Sequence, residues 1–366
     1  MTLTPELTID LSAIAENWRA LDRQSGASET AAVVKADAYG LGAATVGPVL
    51  ADAGAGTFFV ALPGEGATLR AALGPGPVIY VLSGFPVEPA EARRRPPPTH
   101  PDAGGPVPLS EAGLFAEAGL RPVLNAPEQV TAWTAAGGGP HALQLDTGMN
   151  RLGLEAAELG AIGVPADCRL VMSHLACSDM PGHPQTAAQL AAFRAMTDGG
   201  TLPRSLAATG GTLLGAPYAF DMVRPGVGLY GGLPFVAAQP VVSLSLPILQ
   251  IRDVAPGETV GYGATWRAAR PSRIATLSGG YADGLIRALS GRARGWIGDV
   301  PCPFAGRVSM DLIGLDVTDA PEATVGQGVE ILGSRQGIDA LASAAGTIGY
   351  EILTSLGARY TRRYLS

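Results

Sequence analysis

Lysine occurs once in the 366 residues, at Lys35 in Ala-Ala-Val-Val-Lys-Ala-Asp-Ala-Tyr-Gly (31–40). Lys and Arg together number 25, so the other 24 basic residues are arginine. This skew marks Lys35 for a task that arginine cannot do. A primary amine can lose its proton and attack a carbonyl, whereas a guanidinium effectively never does. Other polar residues stand just after short apolar runs: Tyr39 after 31–34, Asp146-Thr147-Gly148-Met149-Asn150-Arg151 after 141–146, and His174 at the end of 169–174. Thr209-Gly210-Gly211 and Arg224-Pro225-Gly226-Val227-Gly228 follow the last two runs. Glycines there let backbone amides approach a phosphate closely.

The elements that must hold these groups alternate in type. Short apolar runs near 31–34, 57–61, 78–82, 121–124, 141–146, 169–174, 204–208 and 220–224 read as eight strands. Amphipathic stretches separate most of them. Ala43 to Ala53 puts Val46, Val49, Leu50 and Ala53 on one face, Ser110 caps a further helix, Asn125-Ala126-Pro127-Glu128 starts another, and Gln185 to Asp198 is a fourth. Eight such strands with crossover helices predict an α/β fold, a (β/α)8 TIM-like barrel over 11–236, whose site lies at the strand ends. From Pro240 the texture changes. Val241 to Leu246 alternates at period two, and short strands are expected near 273–277, 294–298, 304–308, 312–317 and 328–332. Residues 237–366 therefore read as a mostly β C-terminal domain, to which residues 1–10 add a strand through Leu7-Thr8-Ile9-Asp10. The stretch 85–108, with Arg93-Arg94-Arg95-Pro96-Pro97-Pro98, reads as a surface loop carrying a solvated charge run.

Composition narrows the function classes. Hydrophobic residues make up 47% and charged ones 16%, which excludes a disordered chain. No uncharged run approaches a membrane span, and Met1 to Glu6 lacks the basic and apolar regions of a signal peptide. The net charge of −7 argues against nucleic acid. Cys168, Cys177 and Cys302 are odd in number and lack metal-ligand spacing, which reads as reduced thiols of a cytoplasmic protein. The four histidines show no metal spacing either. One electrophile-binding lysine, one phosphate cradle and no metal site together point to pyridoxal phosphate, which the protein would orient and tune.

Six segments, in order, carry a specific resemblance: Val-Val-Lys-Ala-Asp-Ala-Tyr-Gly (33–40), Leu-Asp-Thr-Gly-Met-Asn-Arg-Leu-Gly (145–153), Val-Arg-Pro-Gly-Val-Gly-Leu-Tyr-Gly (223–231), Gly-Tyr-Gly-Ala-Thr-Trp (261–266), Gly-Gly-Tyr-Ala-Asp-Gly (279–284) and Gly-Arg-Val-Ser-Met-Asp (306–311). Over nearly its whole length the chain resembles the bacterial alanine racemases. The resemblance implies that Lys35 forms the internal aldimine with pyridoxal 5'-phosphate. It implies that Tyr39, Thr209, Tyr350 and the backbone around Gly210, Gly226 and Val227 hold the phosphate, with Arg224 at the pyridine nitrogen and His174 beside the ring. Arg151 would contact the cofactor's phenolic oxygen and the substrate carboxylate. Tyr262, Met310 and Asp311 would come from the second domain of the other subunit, so the active site would be complete only in a homodimer.

These residue types suit racemisation. Two bases on opposite faces, Lys35 and Tyr262, can remove the α-proton from one side and return it to the other. Both start near pKa ~10 and need cations or desolvation to act near neutral pH. Arginine has donors only, so a ring nitrogen facing Arg224 must accept and stay unprotonated, which limits carbanion side reactions. The implied function is interconversion of L- and D-alanine for peptidoglycan. Two departures stand out. Gln144 occupies the place of a lysine that relatives carry as a carbamate bracing the arginine, leaving Arg151 to the Gln144 oxygen or a bound anion. Ala208-Thr209 replaces the usual Asn-Ser. A racemase of serine or broader range remains open, as does a barrel-type amino-acid decarboxylase, against which Arg224 and Ser309-Met310-Asp311 argue. A non-catalytic cofactor-carrying barrel would lack the second domain.

Overall fold

A computed structural model describes residues 4–87 and 111–366. Most of the 85–108 loop and the Ser110 cap lie outside the described residues. The described residues pack into two compact units: one drawn from Met1–Asn17, Tyr39–Gly42 and Val227–Ser366, the other from Trp18–Ala38 and Ala43–Gly226.

The second of these is the barrel. Its parallel strands are Ala32–Val33, Thr57–Val60, Val78–Val81, Arg121–Leu124, His141–Gln144, Cys168–Met172 and Arg204–Ser205, each paired with the next. The eighth strand, Met222–Val223, pairs in parallel with Glu29–Thr30. Closure is visible in the ladder bonds. The N–H of Ala31 donates to the Val223 carbonyl at 2.9 Å and that of Val33 to the Pro225 carbonyl at 3.1 Å. On the other side the Arg224 N–H donates to the Ala207 carbonyl at 2.8 Å. The first strand, expected as one run over 31–34, is thus two pieces that meet at Ala31. Helices Ala43–Ala53, Pro63–Leu73, Glu111–Glu117, Pro127–Ala135, Ala156–Ile162 and Pro184–Thr197 form the crossovers, and two short helices, Thr209–Leu213 and Ala216–Ala219, link the last two strands. Strands Thr57–Val60 and His141–Gln144 are buried at every position, as befits strands wrapped by helices and filled from within. The expected (β/α)8 barrel is present.

The other unit is mostly β. Its long strand Val242–Val254 buries Val242, Leu244 and Leu246 and exposes Ser243, the alternation expected of a half-buried strand. Shifts of register between Leu244 and Ser245 and between Ile248 and Gln250 let it pair successively with Gly328–Leu332 and Ser272–Ser278. Glu6–Asp10 lies between this strand, antiparallel, and Thr361–Leu365, parallel. Residues 304–308 are not a strand. Phe304 makes only an isolated bridge to Leu315, and the partner of Arg294–Ile297 is instead Val300–Pro303, across the turn at Gly298-Asp299. That strand is at the sheet edge, where Pro301 and Pro303 need no donor. Two helices that apolar patterning alone did not indicate, Ile338–Ala345 and Gly349–Ser355, follow the last of the expected strands.

Candidate active site

Lys35 leaves the first barrel strand and opens a six-residue turn, Lys35–Gly40, of unusual hand. Ala36, Asp37, Ala38 and Tyr39 have φ of 52–56°, the left-handed helical region, and the Ala38 N–H closes on the Val34 carbonyl at 2.9 Å. For residues with a Cβ this costs roughly 1–2 kcal/mol each, so about 4–8 kcal/mol must be offset by contacts that fix the turn. One is Glu65, whose Oε1 accepts the Ala36 N–H at 2.8 Å while its Oε2 accepts those of Ala61 at 2.7 Å and Leu62 at 3.2 Å. Another is Asp37, whose carboxylate accepts the Ala43 N–H at 2.7 Å.

Around His174 in the barrel stand Lys35, Arg151 and Arg224. Burial lowers the Lys35 amine, the Arg151 guanidinium lowers it further, and the Glu65 carboxylate opposes both. His174, just past the sixth strand, is pulled down to about 3, first by burial and then by Arg224, Arg151 and Lys35. It is a neutral imidazole at physiological pH. Arg224 is only 3% exposed, and burial draws it down to about 9. Its Nη2 donates to the Ser173 carbonyl at 2.6 Å and its Nη1 to the Ser205 hydroxyl, while its guanidinium carbon lies 5.8 Å from the Phe59 ring centroid. Each partner is held in turn. Ser205 Oγ donates to the Met222 carbonyl at 2.6 Å. Ser173 Oγ donates to the Leu145 carbonyl at 2.8 Å and lies 2.8 Å from the Thr147 hydroxyl. Gln189, fully buried, donates to the His174 carbonyl at 2.9 Å and accepts the Ala176 N–H at 2.8 Å. Among the described residues no carboxylate forms an ion pair with Arg224.

Arg151 rides on a loop fastened by Asp146, whose Oδ1 accepts the N–H groups of Gly148, Met149 and Asn150 at 2.8, 3.0 and 3.2 Å. Gln144 does not brace it here. Its amide nitrogen donates to the Leu152 carbonyl at 3.2 Å, and no Gln144–Arg151 hydrogen bond forms. Thr209 begins a short helix and its hydroxyl accepts the Gly226 N–H at 3.1 Å, so two of the expected phosphate residues adjoin. Gly210 beside them has no room for a side chain, since a Cβ would lie 2.6 Å from Ser178 Oγ.

The remaining expected residues belong to the other unit. Tyr39 is buried, with its ring centroid 4.7 Å from that of Tyr230 and 5.9 Å from that of Tyr350; burial and Tyr350 raise its phenol above the usual range. Val227 is buried at the start of the turn Val227–Tyr230. Tyr262 is 72% exposed and Met310 54% exposed. Asp311 pairs with Arg359 Nη1 at 2.7 Å, and the same guanidinium grips both oxygens of buried Asp283 at 2.7 Å. Sequence reasoning missed Glu65, Ser173, Gln189, Ser205, Tyr230, Asp283 and Arg359. For Glu65 a signal existed: it is the third residue of the helix Pro63–Leu73, where a glutamate reaches back to the cap.

Residues 9–98 and 102–234 match the family profile described as alanine racemase, N-terminal domain, and residues 241–364 match alanine racemase, C-terminal domain. The chain belongs to the alanine racemase family. It is similar, at 56% identity over 361 residues and 98% of each chain, to the alanine racemase of Jannaschia sp. (strain CCS1). Among solved structures it is similar to an alanine racemase from Bartonella henselae with covalently bound pyridoxal phosphate, at 36% identity and a TM-score of 0.87. It is also similar to the biosynthetic alanine racemase from Pseudomonas aeruginosa, at 38% identity and a TM-score of 0.88. Both comparisons cover the whole of both chains. The family makes the chain an enzyme of the isomerase class, a racemase. Among the described residues no helix is long and apolar enough to cross a membrane.

Proposed function

We propose that the chain interconverts L-alanine and D-alanine with pyridoxal 5'-phosphate carried on Lys35, in the cytoplasm, supplying D-alanine for peptidoglycan. The observation that carries this reading is the grouping of one lysine with two arginines about a neutral histidine. Three cationic side chains gathered at the strand ends, with a buried guanidinium that has no carboxylate partner among the described residues, suit an anionic aromatic ligand. When bound, the cofactor supplies an electron-withdrawing ring that acidifies the α-C–H of an amino acid joined to it.

The protein's own groups account for the rest. Thr209, Gly226, Val227, Tyr39 and Tyr350 bind the phosphate, with the backbone at Gly210 kept free of a side chain by the nearness of Ser178. Arg224, held rigidly by Ser173 and Ser205, offers only donors, so a ring nitrogen against it accepts a hydrogen bond and carries no proton. His174 stays uncharged and packs beside the ring. Arg151 binds the substrate carboxylate. The Lys35 amine, lowered by burial and by Arg151, is a base for one face of the α-carbon. The phenol of Tyr262 serves the opposite face. Tyr262 and Met310 are exposed in the single chain, which supports their joining the site of a second copy, together with Asp311, in a homodimer. On this reading residues 11–236 form the cofactor domain and 237–366 the domain that lends these residues.

The test is chemical. Borohydride reduction of the cofactor-loaded protein followed by peptide mapping is expected to place a pyridoxyl group on residue 35, and purified protein is expected to racemise L-alanine faster than L-serine or L-lysine. A reduced, loaded protein with Lys35 unmodified rules the reading out, because the chain has no second lysine to take its place.

A further inference from the structure

We propose that Glu65 is a positioning residue for the lysine: its carboxylate fixes the left-handed turn that carries Lys35 and sets a negative charge against the lysine amine. The proposal rests on the reading of Lys35 as the cofactor lysine. The geometry begins with the barrel. Strands Ala32–Val33 and Thr57–Val60 are paired neighbours, so the turn after the first and the helix start after the second emerge side by side. Any helical turn leaves its first N–H groups without internal partners. In the turn Lys35–Gly40 the Ala36 N–H is such a group, and Glu65 Oε1 takes it at 2.8 Å. The same carboxylate ties down the start of its own helix through Ala61 and Leu62. One side chain thereby joins the termini of two consecutive barrel strands and fixes the residue next to Lys35.

The second half concerns charge. The groups facing Lys35 come from three elements: Arg151 on the loop after the fifth strand, His174 after the sixth, and Glu65 on the helix after the second. His174 is neutral, and among the described residues Glu65 is the negative charge that acts on the amine, against burial and Arg151. Removing it leaves both lowering influences unopposed. The amine of a Glu65→Gln variant must therefore lose its proton at lower pH than that of the parent chain.

The single lysine makes this directly measurable. The full-length chain, freed of cofactor with hydroxylamine, is acetylated with acetic anhydride across a pH series, and the extent at residue 35 is read by peptide mass spectrometry against the α-amino group. Backbone hydrogen exchange at Ala36 is followed on the same samples. In Glu65→Gln the labelling midpoint is expected to move to lower pH and Ala36 exchange to quicken several-fold. In Glu65→Asp, which keeps the charge but shortens the reach, exchange at Ala36 is expected to quicken while the midpoint stays closer to the parent value. A midpoint in Glu65→Gln that stays or rises, or Ala36 exchange at the parent rate, overturns the proposal. If Glu65→Gln does not accumulate, parent-like Ala36 exchange in Glu65→Asp overturns it alone. Neither readout depends on bound cofactor or turnover, so failure here is distinguishable from failure of the borohydride mapping.

Discussion

Replacing Ser205 by alanine tests how the barrel tolerates Arg224. The Ser205 hydroxyl has one proton, which goes to the Met222 carbonyl at 2.6 Å, and a lone pair that receives Arg224 Nη1. The residue is fully buried, so water cannot replace either bond. A hydrogen bond to a charged group is worth about 1.5–3 kcal/mol and a neutral one about 0.5–1.5 kcal/mol. Ser205→Ala is therefore expected to cost about 2–4.5 kcal/mol, a fall of roughly 4–18 °C in the melting point of a domain this size. Ser28→Ala is the control. Its hydroxyl makes one neutral bond, to the Phe220 carbonyl at 2.6 Å, in a half-buried position. Its expected cost is about 1 kcal/mol. Thermal melts of both variants are then repeated in an Arg224→Met background. There the charged share should vanish and Ser205→Ala should cost no more than Ser28→Ala, since a double-mutant cycle isolates the coupling. Equal costs for Ser205→Ala in the two backgrounds refute the reasoning, for they mean the guanidinium draws nothing from the hydroxyl.

Tyr262→Phe is expected to reduce turnover in both directions by about 10²–10⁴-fold, the usual share of an acid–base group, while visible absorbance shows the cofactor retained. Exchange of the α-proton with solvent should become selective for one enantiomer; equal exchange from both excludes a dedicated tyrosine base. His174 has its pKa lowered from 6.5 to about 3, so between those values the unfolded chain binds a proton that the folded one does not, and stability falls as pH falls through that window. His174→Gln should flatten that acid-side loss in urea midpoints taken at pH 7, 5 and 4, and an unchanged slope contradicts the assignment. With Gln144 turned to the Leu152 carbonyl, Arg151 is expected to recruit an anion, so turnover at low ionic strength should rise on adding chloride; a flat titration decides against it.

What the sequence made legible follows from what periodicity encodes. Lys35, His174 and Arg224 were placed because barrel strands are short apolar runs and polar residues at their ends stand out. Their partners were not, because a buried Ser205 or Ser173 in an apolar strand carries no mark of its bond until the neighbouring strand is in place. Glu65 reaches Ala36 across 29 positions, a distance no local pattern spans. The left-handed turn was hidden for the opposite reason. Ala-Asp-Ala-Tyr contains no glycine, and its local preference is for the other hand. In the other unit, Thr361–Leu365 escaped notice because Thr-Arg-Arg-Tyr-Leu is a polar, partly exposed strand recognised by its pairing with Glu6–Asp10 and not by apolar content. The prolines of Val300–Pro303 masked a strand that an edge position permits.

The composition that singled out Lys35 has a physical reading once the site is assembled. Arg224 and Lys35 belong to the same barrel, and both are lowered chiefly by burial. Their starting points differ, the guanidinium's lying well above the amine's. Fully buried, Arg224 comes down only to about 9, so it remains a cation at neutral pH and can serve as a fixed donor. The amine starts lower and is pushed further by Arg151. The same environment therefore yields a permanent charge from one residue type and a deprotonatable base from the other. A chain free to use arginine for every static positive charge still needs one amine where a proton must be given up. That requirement falls at residue 35, and it explains why exchanging the two residue types at positions 35 and 224 would lose both roles, though each position would keep a nominal positive charge.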